Sequence, residues 1–486
     1  RGDQSPPFVP RPAEIPPISR RVNAFTMDML KQQSASNKAP SNLIISGESI
    51  FSSVALSYVT SGGKTRTELA EAFHFPSDDS RLLDDLSRLY KQQAAATKSR
   101  ETTVDLASSL WLDEKYVKFQ REYLRDVEQA FGAALQAVEY EHKEKVSQKI
   151  NNWVSEQTQG RIREVVNPHD FRSGSGSVGP VKWVDSPVLT TVSAAYFKAS
   201  WASQFEDGAT KLRTFRMSEG EEIEANLMWQ NSLFEYAENA NVKFLKLPYI
   251  EGEFSMYVLL PRKVLSAERL AKLITPDSLN NLEGVARYHQ VDVLMPKFKI
   301  RTQINVKKAA LAMGVRAAFD KQQADFGRMI QNAKKWTVYI DDIFHHAWVA
   351  VDEEGTEAAA TTTTVHFACS APVEVPPANF HADHPFCFLI VHNRSASILF
   401  AGWISDPREL QQSGQRPVNI RESALQLGKS GAAECLAEVP MGGTSVFQGS
   451  FSDPTRLSIT RCRREIIPAE LASNVQSRFI LSFPPQ

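Results

Sequence analysis

Val351-Asp352-Glu353-Glu354-Gly355-Thr356-Glu357-Ala358-Ala359-Ala360-Thr361-Thr362-Thr363-Thr364 is an odd stretch to find between two apolar segments. Surface connections are normally built from Gly, Pro, Asn and Asp, which supply the backbone angles of turns. This one has no Gly or Pro from Thr356 to Ala371 and carries small, strand-competent side chains instead. As a strand it would put Thr356, Ala358, Ala360, Thr362 and Thr364 on one face, each small enough to pass between existing strands. An Ala/Thr-rich linker is the plainer alternative.

The surroundings decide between these readings. Upstream, Val22, Phe25, Met29 and Leu30 predict a helix from about Ile18. Asn42 to Ile45 predicts a short strand, Ser49 to Val59 and Thr65 to Phe73 two helices, Thr103 to Leu112 a strand, and Val146 to Val166 a long helix. From Val188 the texture turns to strands: Val188 to Phe197, Lys243 to Leu247, Phe254 to Leu260, Val291 to Ile300, Trp336 to Ile340 and Phe386 to Val391. Helices first and strands later, without βαβ alternation, predict an α+β fold.

Composition excludes several classes of function. With 486 residues, 42% hydrophobic and 23% charged, the chain can bury a large core, and 55 Lys and Arg nearly cancel 56 Asp and Glu. No global charge draws it to nucleic acid or to a membrane, and no apolar run approaches the length of a membrane span. The four cysteines, Cys369, Cys387, Cys435 and Cys462, form no CxxC pair. Gly174 to Gly179 matches GxGxxG but neither follows a strand nor opens a helix, so it predicts a surface loop. His345-His346 and His381 to His384 lack a third ligand at metal spacing, and no GxSxG elbow marks a hydrolase. Arg1-Gly2-Asp3 opens a proline-rich tail over 1–17. The first residue is Arg, which leaves a removed leader open; secretion is the expectation and a cytoplasmic location the alternative. Asn393-Arg394-Ser395 is a glycosylation sequon in a predicted strand connection.

Motifs spread along the chain carry a family resemblance. EEGTEAAAT resembles the hinge of inhibitory serpins, and Phe380 to Phe386 resembles the segment that follows their reactive loop. Ile150 to Ile162 is similar to the helix covering the serpin main sheet, and Ala194 to Trp201 to its third strand. Leu247-Pro248-Tyr249, Ser255 to Pro261, Met295 to Ile300, Ala324-Asp325-Phe326 and Leu399 to Pro407 add further matches in order. The resemblance implies a serpin domain over 18–407: a large mixed main sheet, two smaller sheets, about nine helices and an exposed reactive loop near 353–380. It stops at Pro407, leaving 408–486 as an extension that is either disordered or a basic docking tail.

What the resemblance implies for function is a suicide inhibitor of serine proteases that needs no cofactor, acts as a monomer and is not an enzyme. A cysteine protease is a second possible target class, and a non-inhibitory carrier, chaperone or storage protein is the alternative function. Carried over residue by residue, Glu353, Gly355, Thr356, Glu357, Ala358, Ala359, Ala360 and Thr361 form the hinge. Ser46, Ser49, Ser193 and His345 form the cluster that governs sheet opening, and Trp201, Lys297 and Glu353 the loop entrance. Ser193 departs from the usual Asn, with an expected loss of reach to His345 bridged by water or reflected in easier opening. Gly47 departs from the usual Pro, with an expected loss of local rigidity. Counting seventeen residues from Glu353 places the reactive bond between Cys369 and Ser370, with Phe367 as the rival position. No Lys or Arg lies between Glu353 and Asn393, so elastase-like or chymotrypsin-like targets are expected rather than trypsin-like ones.

Overall fold

Pro17 opens the first helix because its fixed φ suits helix geometry and its missing N–H falls where no partner exists. That helix, α1 (Pro17–Ser34), buries Val22, Phe25, Met29 and Leu30 on one face. The computed structural model describes residues 9, 12–35, 42–97, 101–115, 117–131, 134–171, 188–217, 220–331, 337–356 and 376–408, and the pairs 446–447 and 462–463. The chain divides into two units, 1–413 and 414–486. In the second, Val446–Phe447 pairs antiparallel with Cys462–Arg463.

After α1 come β1 (Asn42–Ile45), α2 (Gly47–Tyr58), α3 (Gly63–Phe73), α4 (Leu82–Ala96), β2 (Thr102–Asp113), α5 (Arg121–Phe131), β3 (Ala134–Val138) and α6 (Lys143–Gln157). Strands then dominate: β4 (Val188–Ser200), β5 (Lys211–Arg216), β6 (Glu222–Glu238), β7 (Val242–Pro248) and β8 (Phe254–Pro261). Helices α7 (Ala267–Leu273) and α8 (Pro276–Val285) precede β9 (Arg287–Pro296), β10 (Phe298–Asn305) and α9 (Val306–Ala312). The first unit ends with β11 (Tyr339–Val351), β12 (Gly355–Thr356), β13 (Ala378–His381), β14 (Phe386–His392) and β15 (Ser397–Ile404).

The main sheet has the order β10-β11-β12-β4-β2-β3, and below β12 strands β11 and β4 pair directly. That pair is parallel, from Tyr339 opposite Val188 to Trp348 opposite Tyr196. The other strands form one nine-stranded array, β1-β15-β14-β8-β7-β6-β9-β13 with β5 on β6. The two smaller sheets implied by the resemblance are continuous because β6 is long enough to serve both: Leu227 to Tyr236 pairs with β9, and Glu235 to Glu238 with β7. Phe197, Trp201, Tyr249, Phe298, Phe388 and Phe400 belong to the buried core shared by the two sheets. On the opposite face of the main sheet, Ile150 and Val154 of α6 pack with Trp111, Val192 and Ala194.

Three predicted elements differ from those observed. The helix expected over Val146 to Val166 ends at Gln157, because Thr158 turns its hydroxyl back to Val154 O and Gln159 and Gly160 take left-handed angles (φ 51° and 79°). Ile162, Val165 and Val166 are buried all the same, reached by an extended connection. The strand expected over Val291 to Ile300 is two strands, separated at Lys297, whose N–H bonds Asn226 O. The strand expected over Trp336 to Ile340 begins at Tyr339 and runs on to Val351. Asn393 is buried, and its amide donates to Gly252 O (2.7 Å) and Ser255 Oγ (2.9 Å).

Every residue of α2 is buried, and its start explains the glycine. A Cβ at Gly47 would lie 1.9 Å from Thr26 Oγ1 and 3.0 Å from Thr26 Cα, so α1 crosses α2 too closely for any side chain. The expected loss of rigidity at Gly47 is thereby corrected: packing against α1 fixes the backbone that a proline ring would otherwise fix. Gly47→Ala should lower the stability of the native form by about 1–3 kcal/mol. Denaturant midpoints will measure this, and pairing the change with Thr26→Ala should recover part of the loss.

Candidate functional site

At the top of the main sheet the chain leaves β11 and reverses. Asp352 makes the turn, its carboxylate accepting from the N–H groups of Glu354 (3.1 Å) and Gly355 (3.2 Å). Burial raises the Asp352 pKa against the opposing effect of those two N–H groups. The next carbonyls are captured from one side. Trp201 N–H bonds Glu354 O and Phe205 N–H bonds Glu353 O, both at 2.9 Å, while the Trp201 indole N–H bonds Asp352 O at 3.0 Å.

Glu353 lies at this turn with Lys297 at 2.6 Å and the Thr210 hydroxyl at 2.6 Å. Burial alone would raise its pKa, but hydrogen bonds from Lys297 and Thr210 outweigh it and hold the carboxyl below its ordinary value. Gly355 and Thr356 then form β12, with Thr356 opposite Val351 on β11 and Ala199 on β4. A Cβ at Gly355 would lie 2.2 Å from Ala199 O, so only glycine fits this close approach. Thr356 is fully buried, its hydroxyl 2.7 Å from the Tyr249 hydroxyl. Tyr249 in turn stacks on Trp201 with ring centroids 4.5 Å apart. Thr210 and Tyr249 were not legible as hinge partners, because both contacts join segments far apart in sequence.

Lower on the same strands lies a second cluster. The backbone N–H of Ser46 donates to His345 Nε2 at 3.0 Å, which makes that nitrogen the acceptor and places the ring proton on Nδ1. Nδ1 then donates to Ser193 Oγ at 2.9 Å. Ser193 and His345 are direct register partners on adjacent parallel strands, so the short side chain reaches the ring without water, correcting the expected loss of reach. The Ser46 side chain accepts from Ser49 N–H at 3.2 Å, and the Ser49 hydroxyl lies 3.4 Å from Ala107 O on β2. Burial holds His345 down to about 3, so it is neutral.

Between Ser46 and Ser49 sits Glu48, a fully buried carboxyl hydrogen-bonded by Ser397, with no cation paired to it among the described residues. Burial pushes its pKa up to about 7, against the lowering effect of the Ser397 hydrogen bond. The visible signal was a charge inside Ile44-Ile45-Ser46-Gly47-Glu48-Ser49-Ile50-Phe51, a stretch otherwise apolar or small. The structure therefore gathers Trp201, Lys297, Glu353, Gly355 and Thr356 at one point and Ser46, Ser49, Ser193 and His345 at another. Glu357, Ala358, Ala359, Ala360, Thr361, Phe367, Cys369 and Ser370 lie outside the described residues.

Residues 20–407 match the family model described as serpin, serine protease inhibitor. The chain is 31% identical over 408 residues to the leukocyte elastase inhibitor of Homo sapiens, covering 80% of this chain and 99% of that protein. It is 30% identical over 398 residues to an uncharacterized serpin-like protein of Thermococcus kodakarensis, covering 81% of this chain and 86% of that one. Among solved structures, a highly specific serpin of the insect Tenebrio molitor superposes with a TM-score of 0.65 at 26% identity, covering 80% of this chain and 98% of that one.

Protonation of Glu48 has a testable sign. The native carboxyl keeps its proton to about 7, whereas an unfolded one loses it near 4.5. The native state therefore binds more protons in that window, so stability falls as pH rises through it and levels off above, by about 3 kcal/mol. Three buried histidines act in the opposite sense: His345 and His346, held down to about 3, and His392, to about 4, remove stability as pH falls below 6.5. Subtracting the stability of Glu48→Gln from that of the parent isolates the carboxyl. The difference should decline between pH 4.5 and 7; a pH-independent difference would show that Glu48 does not titrate there.

Proposed function

The chain belongs to the serpin family, the serine protease inhibitors, and we propose that it is an inhibitory member that traps its protease by drawing its own cleaved loop into the main sheet. The observation that carries this reading is β12: Gly355 and Thr356, at the start of the hinge, already lie between β11 and β4, antiparallel to both. Continued down the seam without a slip, that register brings Ala358 between Phe197 and Val349, Ala360 between Ala195 and Ala347, and Thr362 between Ser193 and His345. Only small side chains then enter the core face, and the Thr362 hydroxyl arrives where Ser193 now bonds the imidazole. In this reading Ser46, Ser49, Ser193 and His345 hold the seam closed, while Trp201, Lys297 and Glu353 aim the hinge.

The chemistry belongs to the protease. Its serine oxygen attacks the carbonyl carbon of Cys369, the Ser370 nitrogen leaves with a proton, and an ester joins the two proteins. Phe367 is the alternative attacked residue. The freed end then enters the sheet, forming about a dozen backbone hydrogen bonds worth on the order of 10 kcal/mol in total. Hydrolysis of the ester needs oxyanion donors held in place, and a protease dragged and distorted by the inserting strand loses them. An elastase-like or chymotrypsin-like target fits the absence of Lys and Arg in the loop, and the human relative is named an elastase inhibitor. The inhibitory body spans 18–407 in this reading.

Two measurements test it. Incubation with a protease panel should give a complex that survives boiling in detergent with an elastase-like or chymotrypsin-like enzyme and not with trypsin. Mass spectrometry of the released fragment should place the cut between Val365 and Val373; a cut elsewhere overturns the assignment of the bond. Thr356→Arg should turn the inhibitor into a substrate, because an unpaired charge would have to enter the pocket now filled by the Thr356–Tyr249 pair, at about 3–5 kcal/mol. Undiminished complex formation by this variant would sink insertion through the hinge.

A further inference from the structure

Below β12 the seam closes, and the first pair that closes it is Trp348 opposite Tyr196. The two rings stack with centroids 5.3 Å apart and planes 9° from parallel. Cations bracket the stack. The Arg161 guanidinium lies 4.4 Å from the Tyr196 ring centre, and the Lys299 amine 5.5 Å from that of Trp348. Both caps are themselves placed by the fold: Arg161 follows the turn at Gln159 and Gly160 that ends α6, and Lys299 stands on β10, the strand beside β11. The connection carrying Arg161 spans the seam, with Gln159 reaching Asp105 on β2 and Arg301 on β10 bonding Glu164 O.

The register of β12 assigns this pair a fate. Thr356 stands opposite Val351 and Ala199, so a strand continued in that register would bring Ala359, three residues further on, between Trp348 and Tyr196. An intervening strand moves β11 and β4 to about 9.6 Å apart, two strand spacings, where the rings no longer stack. The stack therefore exists only in the closed seam, and Ala359 contributes a single methyl group on that face. We propose that the Tyr196–Trp348 stack, capped by Arg161 and Lys299, is the latch the entering loop breaks first, and that its strength sets the partition between trapped protease and released, cleaved inhibitor. This rests on the insertion reading above. Tyr196 and Trp348 are positioning residues: they touch neither the protease nor the scissile bond, and act through the rate at which the seam parts.

The test uses the full chain and a synthetic peptide with the sequence of residues 356–369, whose uptake by the uncleaved protein is followed by native gel and by thermal midpoint. Trp348→Val should accelerate uptake about tenfold, the scale of a lost aromatic pair. It should lower the midpoint of the uncleaved protein while leaving that of the loop-cleaved protein unchanged. Trp348→Phe should restore a rate close to that of the parent. Should Trp348→Val fail to fold, Lys299→Ala and Arg161→Ala, which remove only the caps, should each accelerate uptake about two- to threefold. Unchanged rates in the valine and cap variants, or an equal fall in the midpoints of both forms, overturn the latch and leave insertion standing. A parent that takes up no peptide and gains no thermal stability on cleavage overturns insertion and the latch together.

Discussion

Two parallel strands side by side leave one course to a chain that turns back from the top of one of them: it must run antiparallel to both. Strands β4 and β11 are such a pair, and the reversal at Asp352 sends the chain down between them. Much of the surrounding architecture answers the question of how far that course is taken. Trp201 and Phe205 hold the carbonyls of the turn, Gly355 permits the approach of backbone to backbone, and Thr356 fills the last polar niche. Below that point the seam is closed by side chains as well as by backbone, aromatic on the α6 face and hydroxyl–imidazole on the core face. An antiparallel ladder is the better hydrogen-bonded alternative to a parallel one, so under the insertion proposed above the closed seam competes with a stronger arrangement.

The interior beneath the seam is unusually polar for a core. Helix α2 is buried along its whole length yet contains Glu48 and four serines, two of which bond carbonyls of their own helix. Thr191, which shares the core face of β4 with Ser193, keeps its hydroxyl buried without a partner. Each such group costs about 1–3 kcal/mol against a satisfied or apolar equivalent. Polar groups held short of full satisfaction along one line favour a rearrangement that brings them new partners, and under the insertion proposed above Thr362 and Thr364 would bring hydroxyls to that line.

Much of this was legible in the sequence. The hinge announced itself by small, strand-competent residues where turn formers are the rule, and the switch from helical to strand texture near Val188 fell at the start of β4. What escaped was set by contacts distant along the chain. The apolar spacing of Ile162, Val165 and Val166 suggested more helix, but an extended connection can bury the same residues when it crosses a sheet. The continuity of the smaller sheets through β6 follows from register, which no local pattern encodes. Ser193 looked too short to reach His345 because reach was judged by side-chain length, whereas the decisive quantity is that the two strands are adjacent and in register. Gly47 looked loose for a similar reason: its neighbour in space, Thr26, is remote in sequence.

The two hydrogens of the Asn393 amide are both committed, one to Gly252 O and one to Ser255 Oγ, in a site closed to solvent. An N-linked sugar replaces one of those hydrogens and needs an open path for its first ring. Folding and glycosylation therefore compete for the same nitrogen, and the winner is decided by which acts first on the emerging chain. A chain modified before it folds would have to surrender the anchor between the β14–β15 connection and the start of β8, so this sequon is a hazard to folding wherever the transferase is present.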